Sequence, residues 1–175
     1  MKNALEFIKV TNDNFEIAFN IQKSIWPSNP DYDNFVNKAK SSTEDNVSYI
    51  VYYNNVPIGI TGVYTEDIDK ESIWLDWYGV LPKYRNKGFG KRVLLKTIEY
   101  CKKLDRFDYL RLDTTFFEGR PAIFLYDKVM HFKEQYTIEG HENCLIYTYS
   151  LKGNMKLWNN RYLGLNDYYN NTNNN

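Results

Sequence analysis

The chain has 175 residues and a mass of 20.9 kDa, with 22 basic and 22 acidic residues and a formal net charge of zero. This length fits one domain, or one domain with a tail. A hydrophobic fraction of 43% and an aromatic fraction of 17% supply a core and exclude wholesale disorder. The neutral total also argues against a general nucleic-acid binder, because such proteins carry an excess of Lys and Arg.

The sequence shows no sign of secretion, of a membrane span or of a metal site. The N-terminus has no long apolar stretch behind its lysine, and no run approaches the roughly 20 apolar residues that a spanning helix needs. Cys101 and Cys144 form no CxxC pair, and two Cys with two His give no zinc-like spacing. We therefore expect a cytoplasmic protein with two reduced thiols and no metal.

The alternation of helical and strand-like patterns predicts a mixed α/β chain. Apolar residues at i+3 and i+4 spacing indicate helices, and runs of β-branched and aromatic residues indicate strands. In chain order the predicted elements are helices over 14–26 and 32–40, strands over 48–53, 56–64 and 72–80, a helix over 89–104, a strand over 108–113, a helix from 121, and strands over 134–138 and 145–151. Asn54 and Asn55 join two of the strands, and because Asn tolerates positive φ, they predict a β-hairpin. Pro121 suits the first position of a helix.

This order of elements predicts one α/β (α+β) domain, with a mixed sheet in one layer and helices packed against it. We expect the domain to span residues 1–151. The remaining residues, 152–175, form an Asn-rich extension that also carries aromatic residues such as Trp158. These apolar residues predict a segment docked as far as about Tyr169, followed by a frayed end.

The stretch from Val80 to Arg92 is the most informative one, because it follows a predicted strand and opens a predicted helix. No acidic residue appears between Lys83 and Lys96. The basic residues in the stretch are Lys83, Arg85, Lys87, Lys91 and Arg92. Positive charge and unpaired N–H groups at a helix N-terminus together favour an anion. The alternative is a turn with a solvated basic helix start.

Two glycines in this stretch, Gly88 and Gly90, lack a Cβ and so allow close approach of the backbone to an anion. Neither GxxxxGK[ST] nor GxGxxG fits their spacing. The pattern Arg-x-x-Gly-x-Gly, after a strand that ends Val-x-Pro, instead closely resembles the acyl-CoA signature of the GNAT superfamily of N-acetyltransferases. Downstream, Leu112-Asp113-Thr114 followed by Pro121 to Lys128 resembles that family's second motif, a strand leading to a helix with a Leu-Tyr-acid-Lys core.

The resemblance covers roughly residues 5–151 and implies the GNAT fold, with a central, mostly antiparallel sheet. It also implies acetyl-CoA as cosubstrate, a primary amine as acceptor and no metal. By resemblance, the coenzyme A pyrophosphate would be held by Arg85, Asn86, Lys87, Gly88, Phe89, Gly90 and Lys91. The strand end at Tyr78, Gly79 and Val80 would bond the pantetheine arm and orient the thioester carbonyl. The alternative for Lys91 and Arg92 is that they are ordinary exposed helix residues with no contact to the cofactor.

The resemblance also implies two catalytic residues. Tyr126 occupies the position of a Tyr that commonly protonates the leaving thiolate, and a phenol with a reference pKa of about 10 can donate to a thiolate whose acid has a pKa of about 8.5. The alternative for Tyr126 is a packed core residue. Asp76 lies where family members often carry an acidic general base, and Trp74, Trp77 and Tyr78 beside it would desolvate it. An exposed or ion-paired Asp, with water as the base, is equally compatible with the sequence.

Two departures from the family pattern keep a second interpretation open. Gly119 stands where many relatives carry an Asn that bonds the pantetheine, and His131-Phe132 stands where Gly-Phe is common. A non-catalytic acyl-CoA-binding or regulatory module of the same fold is therefore the alternative. The acceptor side is expected between residues 17–40 and the late hairpin, near Trp26, Asp31, Tyr32, Asp33 and Phe35. We expect no nucleic-acid or membrane partner, and either a monomer or a homodimer.

Overall fold

The computed structural model describes residues 4–67, 69–115, 121–138 and 141–158. In this part of the chain one seven-stranded sheet is flanked by four α-helices. The strands are β1 (Leu5–Lys9), β2 (Val47–Tyr53), β3 (Val56–Tyr64), β4 (Ser72–Val80), β5 (Tyr109–Thr115), β6 (Phe132–Ile138) and β7 (His141–Ser150). The helices are α1 (Phe15–Ile25), α2 (Tyr32–Ser41), α3 (Phe89–Leu104) and α4 (Pro121–Val129), with a short 3-10 helix at Pro82–Tyr84. No helix among these residues is long and apolar enough to cross a membrane.

The strand order is β1-β2-β3-β4-β5-β7-β6, and neighbouring strands are antiparallel except for β4 and β5. The prediction of a mixed, mostly antiparallel sheet with flanking helices is confirmed. Asn54 and Asn55 turn the β2–β3 hairpin at φ values of 50° and 62°, as the Asn pair predicted. The predicted helix that begins at Pro121 is also present, as α4.

The two faces of the sheet are covered by different elements. Helices α3 and α4 pack on one face, where Ile73 and Leu75 of β4 join the main apolar core. Helix α3 buries the face that its periodicity predicted, including Val93, Leu94, Ile98 and Cys101. Helices α1 and α2 cover the other face over β2 and β3, where Ile50 and Ile60 are buried. The intervening residue Trp74 points to this second face, as the period of two along a strand requires.

Strand β1 was not predicted. It pairs with β2 at the edge of the sheet, from Leu5 opposite Tyr53 to Lys9 opposite Tyr49. Of its five residues only Leu5 is buried, so the strand has no clear apolar alternation of its own. Its conformation is decided by the open edge of β2, which offers unpaired N–H and C=O groups, and no local pattern reports such a tertiary effect.

The chain beyond β7 crosses the second face of the sheet. Trp158 is 1% exposed, and its ring meets that of Trp74 edge-on at a centroid distance of 5.1 Å. Arg111 of β5 donates from Nη2 to the Lys156 carbonyl at 3.0 Å. The first part of the extension is therefore docked on the domain. Residues 159–175, with the predicted frayed end, lie outside the described residues, and the boundary at 151 stays a prediction.

Trp158→Ala is expected to lower the free energy of unfolding by about 3 kcal/mol, because it removes a buried indole and leaves a cavity against Trp74. Met155, which is 43% exposed, supplies the matched control. Met155→Ala should change the free energy of unfolding by no more than about 0.5 kcal/mol. Urea unfolding of both variants measures the difference, and equal values would contradict the packing of residues 152–158.

Candidate functional site

The candidate site is organised around the second half of β4. β4 pairs with β5 from Ser72 to Trp74, and it then runs on to Val80 with no further pairing to β5 among the described residues. On its other side, the register with β3 shifts between Ile60 and Gly62, so that β4 carries an extra residue in a β-bulge. The backbone groups of β4 that point towards β5 therefore face a gap, which is where an extended ligand could add to the sheet.

Helix α2 holds two consecutive residues of this bulge. Lys38 is 5% exposed, and its ammonium group forms an ion pair with Asp76. Asn34 Nδ2 donates to the same carboxylate oxygen at 3.2 Å. Trp77 Nε1 donates to Asp31 at the N-cap of α2 at 2.8 Å. Lys38 and Asn34 were not predicted from the sequence. Their spacing from Asp31 is the signal that could have found them, since positions i, i+3 and i+7 lie on one helix face.

Tyr126, the predicted acid, lies on α4 and is 6% exposed. Its ring lies between two other phenols, with centroid distances of 6.1 Å to Tyr78 and 5.4 Å to Tyr147. Burial, and to a smaller extent the Tyr126 phenol, raises the pKa of Tyr78 well above its usual range. Burial and a 2.8 Å bond to Asp127 likewise raise the pKa of Tyr147. Tyr78 and Tyr147 are therefore protonated hydrogen-bond donors at neutral pH.

The start of α3 has the properties of an anion-binding turn. Asn86 and Gly88 have φ values of 59° and 78°. The first hydrogen bond at the start of the helix runs from Arg92 N to Gly88 O at 3.2 Å, so the N–H groups of 89–91 precede the ladder and point out of the helix end. The first turn contains no acidic residue. These groups, together with the helix dipole, favour negative charge at this position.

The basic side chains around this turn differ in what they contact. Arg85 Nε donates to the Val80 carbonyl at 3.2 Å, which fastens the loop to the end of β4. Lys87 Nζ donates to the Lys83 carbonyl at 3.2 Å, within the loop itself. Lys91 is exposed on the outer side of the first helical turn. The charges are thus placed around the turn, and two of them also shape it.

Phe89 and Gly79, two other residues predicted to bind the cofactor, can contact it only through their backbone groups. Phe89 is 8% exposed, and its ring packs against that of Tyr53 at a centroid distance of 4.8 Å. Gly79 leaves no room for a side chain, because an added Cβ would lie 2.8 Å from the indole of Trp26. Tyr78 is the exception among the β4 residues, since its hydroxyl donates to the Gly90 carbonyl at 2.7 Å.

The two predicted catalytic residues lie on opposite faces of the sheet. Asp76 faces α2, whereas Tyr126 belongs to the core under α3 and α4. His131 stacks on Tyr149 at 3.9 Å and accepts from Ser150 N at 3.1 Å, so it is held as a structural residue. Gly119 lies outside the described residues. No group of three or more His, Cys, Asp or Glu in the described part of the chain could hold a metal ion.

The residues expected on the acceptor side have mixed surroundings. Phe35 is fully buried in the core under α1 and α2. Trp26 packs against Trp77 at a centroid distance of 4.9 Å. Tyr32 is 45% exposed and Asp33 is exposed as well. The surface of α1 and α2 beside the bulge is therefore aromatic, while the buried Lys38 of α2 is already paired with β4.

Comparisons with known proteins identify the family and the fold of this chain. The sequence model of the Acetyltransferase (GNAT) family matches residues 11–132. Arabidopsis thaliana NAA60 in complex with acetyl-CoA is 18% identical and has a TM-score of 0.65, with 86% of this chain and 100% of that chain covered. The ribosomal-protein-S18-alanine N-acetyltransferase from Escherichia coli is 15% identical, with a TM-score of 0.65 and coverage of 88% and 100%. No curated protein matches the chain in sequence.

A third solved structure, a mutant spermidine N-acetyltransferase from Vibrio cholerae, is 14% identical and has a TM-score of 0.68, with 86% of this chain and 95% of that chain covered. At these identities the structural likeness shows the fold. The match to the family extends over both sequence motifs, from the strand that precedes Arg85 to the helix that carries Tyr126.

Lys38→Met is expected to lower the free energy of unfolding by about 3 kcal/mol, because Asp76 then keeps a largely buried charge without its partner. Replacing both residues, as Lys38→Met with Asp76→Asn, should recover part of that loss. Lys40→Met is the control, since Lys40 is an exposed lysine of the same helix. Urea unfolding is the measurement, and a loss no larger than that of Lys40→Met would show that the ion pair does not hold α2 on β4.

Proposed function

Because the chain belongs to the GNAT acetyltransferase family, we propose that it transfers an acetyl group from acetyl-CoA to a primary amine of a small molecule or a protein by direct attack. One observation carries this proposal. β4 leaves β5 after Trp74, and the half of β4 that is paired with β3 alone ends beside the start of α3. A long ligand with an extended arm and a charged pyrophosphate fits that combination of a strand edge and a helix N-terminus.

The residues of the site fit acetyl-CoA, which supplies the acetyl thioester. The N–H groups of 89–91 would bind the pyrophosphate, with Arg85, Asn86, Lys87 and Gly88 shaping and charging the turn. The backbone of Tyr78–Val80 would bond the pantetheine arm along the gap. The space around Gly88 supports this assignment, since a Cβ added there would meet no atom within 4 Å.

Tyr126 is proposed as the acid of the reaction. As the amine nitrogen bonds to the thioester carbon and the C–S bond breaks, Tyr126 Oη would give its proton to the leaving thiolate. Asp76 is proposed as the group that takes the proton from the amine, directly or through water. Because Lys38 and Asn34 both bond to Asp76 Oδ2, this transfer would use Oδ1.

The acceptor is proposed to enter on the face covered by α1 and α2, between these helices and the β6–β7 hairpin. Asp76 and the Trp26–Trp77 pair lie on that side of β4. Aromatic rings near a carboxylate suit an amine that arrives as a cation. Two of the three neighbours named above are, by their names, N-acetyltransferases of a ribosomal-protein alanine and of spermidine, so this fold accommodates both kinds of acceptor.

Tyr126→Phe is expected to lower kcat for amine-stimulated thiol release from acetyl-CoA by about 100-fold, because the leaving thiolate loses its proton donor. The assay follows thiol release across a panel of primary amines. Tyr100→Phe is the matched control, since it removes a phenol that bonds to the Glu44 carbonyl at the outer side of α3. Its kcat should equal that of the wild type.

Unchanged turnover in Tyr126→Phe would remove this residue from the mechanism. A chain that binds coenzyme A but shows no amine-stimulated thiol release across the panel would instead favour a non-catalytic acyl-CoA-binding role. Calorimetric titration with coenzyme A separates that outcome from a loss of cofactor binding.

Gly88→Ala tests the cofactor turn. Gly88 and Gly153 have φ values of 78° and 90°, and a Cβ at either position would meet no atom within 4 Å. Alanine at either position should lower the free energy of unfolding by about 1 kcal/mol, which is the backbone strain of the left-handed region. Calorimetry should show weaker coenzyme A binding for Gly88→Ala and unchanged binding for Gly153→Ala. Equal affinities in the two variants would contradict a pyrophosphate site at the start of α3.

A further inference from the structure

The two glycines of the Arg-x-x-Gly-x-Gly motif have different surroundings. A Cβ on Gly88 would lie in open space, whereas a Cβ on Gly90 would lie 3.3 Å from Tyr78 Oη and 3.6 Å from Leu125 Cδ2. Gly90 therefore faces the protein interior, at the point where α3, α4 and β4 meet. The absence of a side chain at this position makes room for Tyr78 rather than for a ligand.

The hydroxyl of Tyr78 bridges β4 and α3. Tyr78 belongs to the half of β4 that faces the gap, and its Oη donates to the Gly90 carbonyl at 2.7 Å. The ring of Tyr78 also packs against that of Tyr126, at a centroid distance of 6.1 Å. One side chain thus contacts the strand, the helix start and the proposed acid.

The Gly90 carbonyl and the Lys91 N–H belong to the same planar peptide group. A hydrogen bond to the carbonyl therefore fixes the direction of the N–H group, which is one of those that precede the helical ladder of α3. A donor on the carbonyl also polarises the amide, and a polarised N–H group is a stronger hydrogen-bond donor. The bond from Tyr78 thus acts on the anion-binding turn without touching an anion.

We propose that Tyr78 is a positioning residue for the cofactor, whose hydroxyl orients the Gly90–Lys91 peptide so that its N–H group binds the pyrophosphate. This inference rests on the proposed function. It gives the Tyr78 side chain a role separate from the backbone contacts of β4 with the pantetheine arm. It also explains why the second residue of the motif's glycine pair, Gly90, has no side chain: the Tyr78 hydroxyl needs that space to reach the Gly90 carbonyl.

A double-mutant cycle between Tyr78→Phe and Gly90→Ala tests the proposal. The first variant removes the hydroxyl. The second places a methyl group 3.3 Å from Tyr78 Oη, which pushes the hydroxyl by a few tenths of an ångström and so weakens the same bond. Tyr78→Phe is expected to weaken coenzyme A binding about fivefold, which corresponds to one net hydrogen bond, and Gly90→Ala should weaken it by no more than that. Because the bond can be lost only once, the double variant should bind about as weakly as Tyr78→Phe alone, and not more weakly by the product of the two single effects.

Tyr147→Phe is the matched control. Tyr147 packs against the other side of Tyr126, but its hydroxyl donates to Asp127 and not to α3. This variant should bind coenzyme A as the wild type does, and its effect should add to that of Gly90→Ala. Urea unfolding of Tyr78→Phe and Tyr147→Phe shows whether the two phenols contribute alike to stability, so that a difference in affinity reports on the turn.

Coupling between Tyr78→Phe and Gly90→Ala in the affinity for coenzyme A supports the proposal. Additive losses, or an unchanged affinity in Tyr78→Phe, overturn it while leaving the proposed function intact. If the wild-type chain does not bind coenzyme A, the proposed function is wrong. That result is obtained before any variant is compared.

Discussion

Strand β4 leaves the ladder of β5 halfway along its length, and the rest of the structure depends on how the separated half is held in place. This half stays paired with β3, but the N–H and C=O groups on its other edge lose their partners in β5, so further support stabilises it. Here the support comes from side chains of three consecutive residues, Asp76, Trp77 and Tyr78. The first two bond to α2 on one face of the sheet, and the third bonds to α3 on the other.

The side chains that hold this half of β4 differ in charge on the two faces of the sheet, and the difference suits the ligand that is proposed for each face. On the α2 face, Asp76 is paired with the buried Lys38. On the α3 face, a phenol that stays protonated at neutral pH donates to Gly90. A neutral donor can fasten the helix start without placing a negative charge beside the anion-binding turn, whereas a carboxylate there would repel a pyrophosphate. The proposed cofactor side therefore keeps the positive field of the loop.

The sequence was informative where structure depends on local pattern. The hairpin at Asn54 and Asn55 and the helix that begins at Pro121 follow from the φ preferences of single residue types, and the apolar face of α3 follows from periodicity. β1 was missed because its conformation comes from the edge of β2. The Tyr78–Gly90 bond was missed for a related reason, since a contact between a strand and a helix leaves no periodic signal in the sequence. The motif also offered a simpler explanation for Gly90, namely close approach of the backbone to an anion.

The two phenols that flank Tyr126 are less suited to the proposed role of the acid. Tyr78 and Tyr147 flank it, and each already donates its hydroxyl proton, to Gly90 and to Asp127 respectively. A hydrogen bond from Lys133 holds the pKa of Asp127 below its usual range despite partial desolvation, so the acceptor of the Tyr147 proton stays ionised at neutral pH. Using Tyr78 or Tyr147 as the acid would break a bond that shapes α3 or α4. In the proposed reaction, donation by Tyr126 leaves both of these bonds intact.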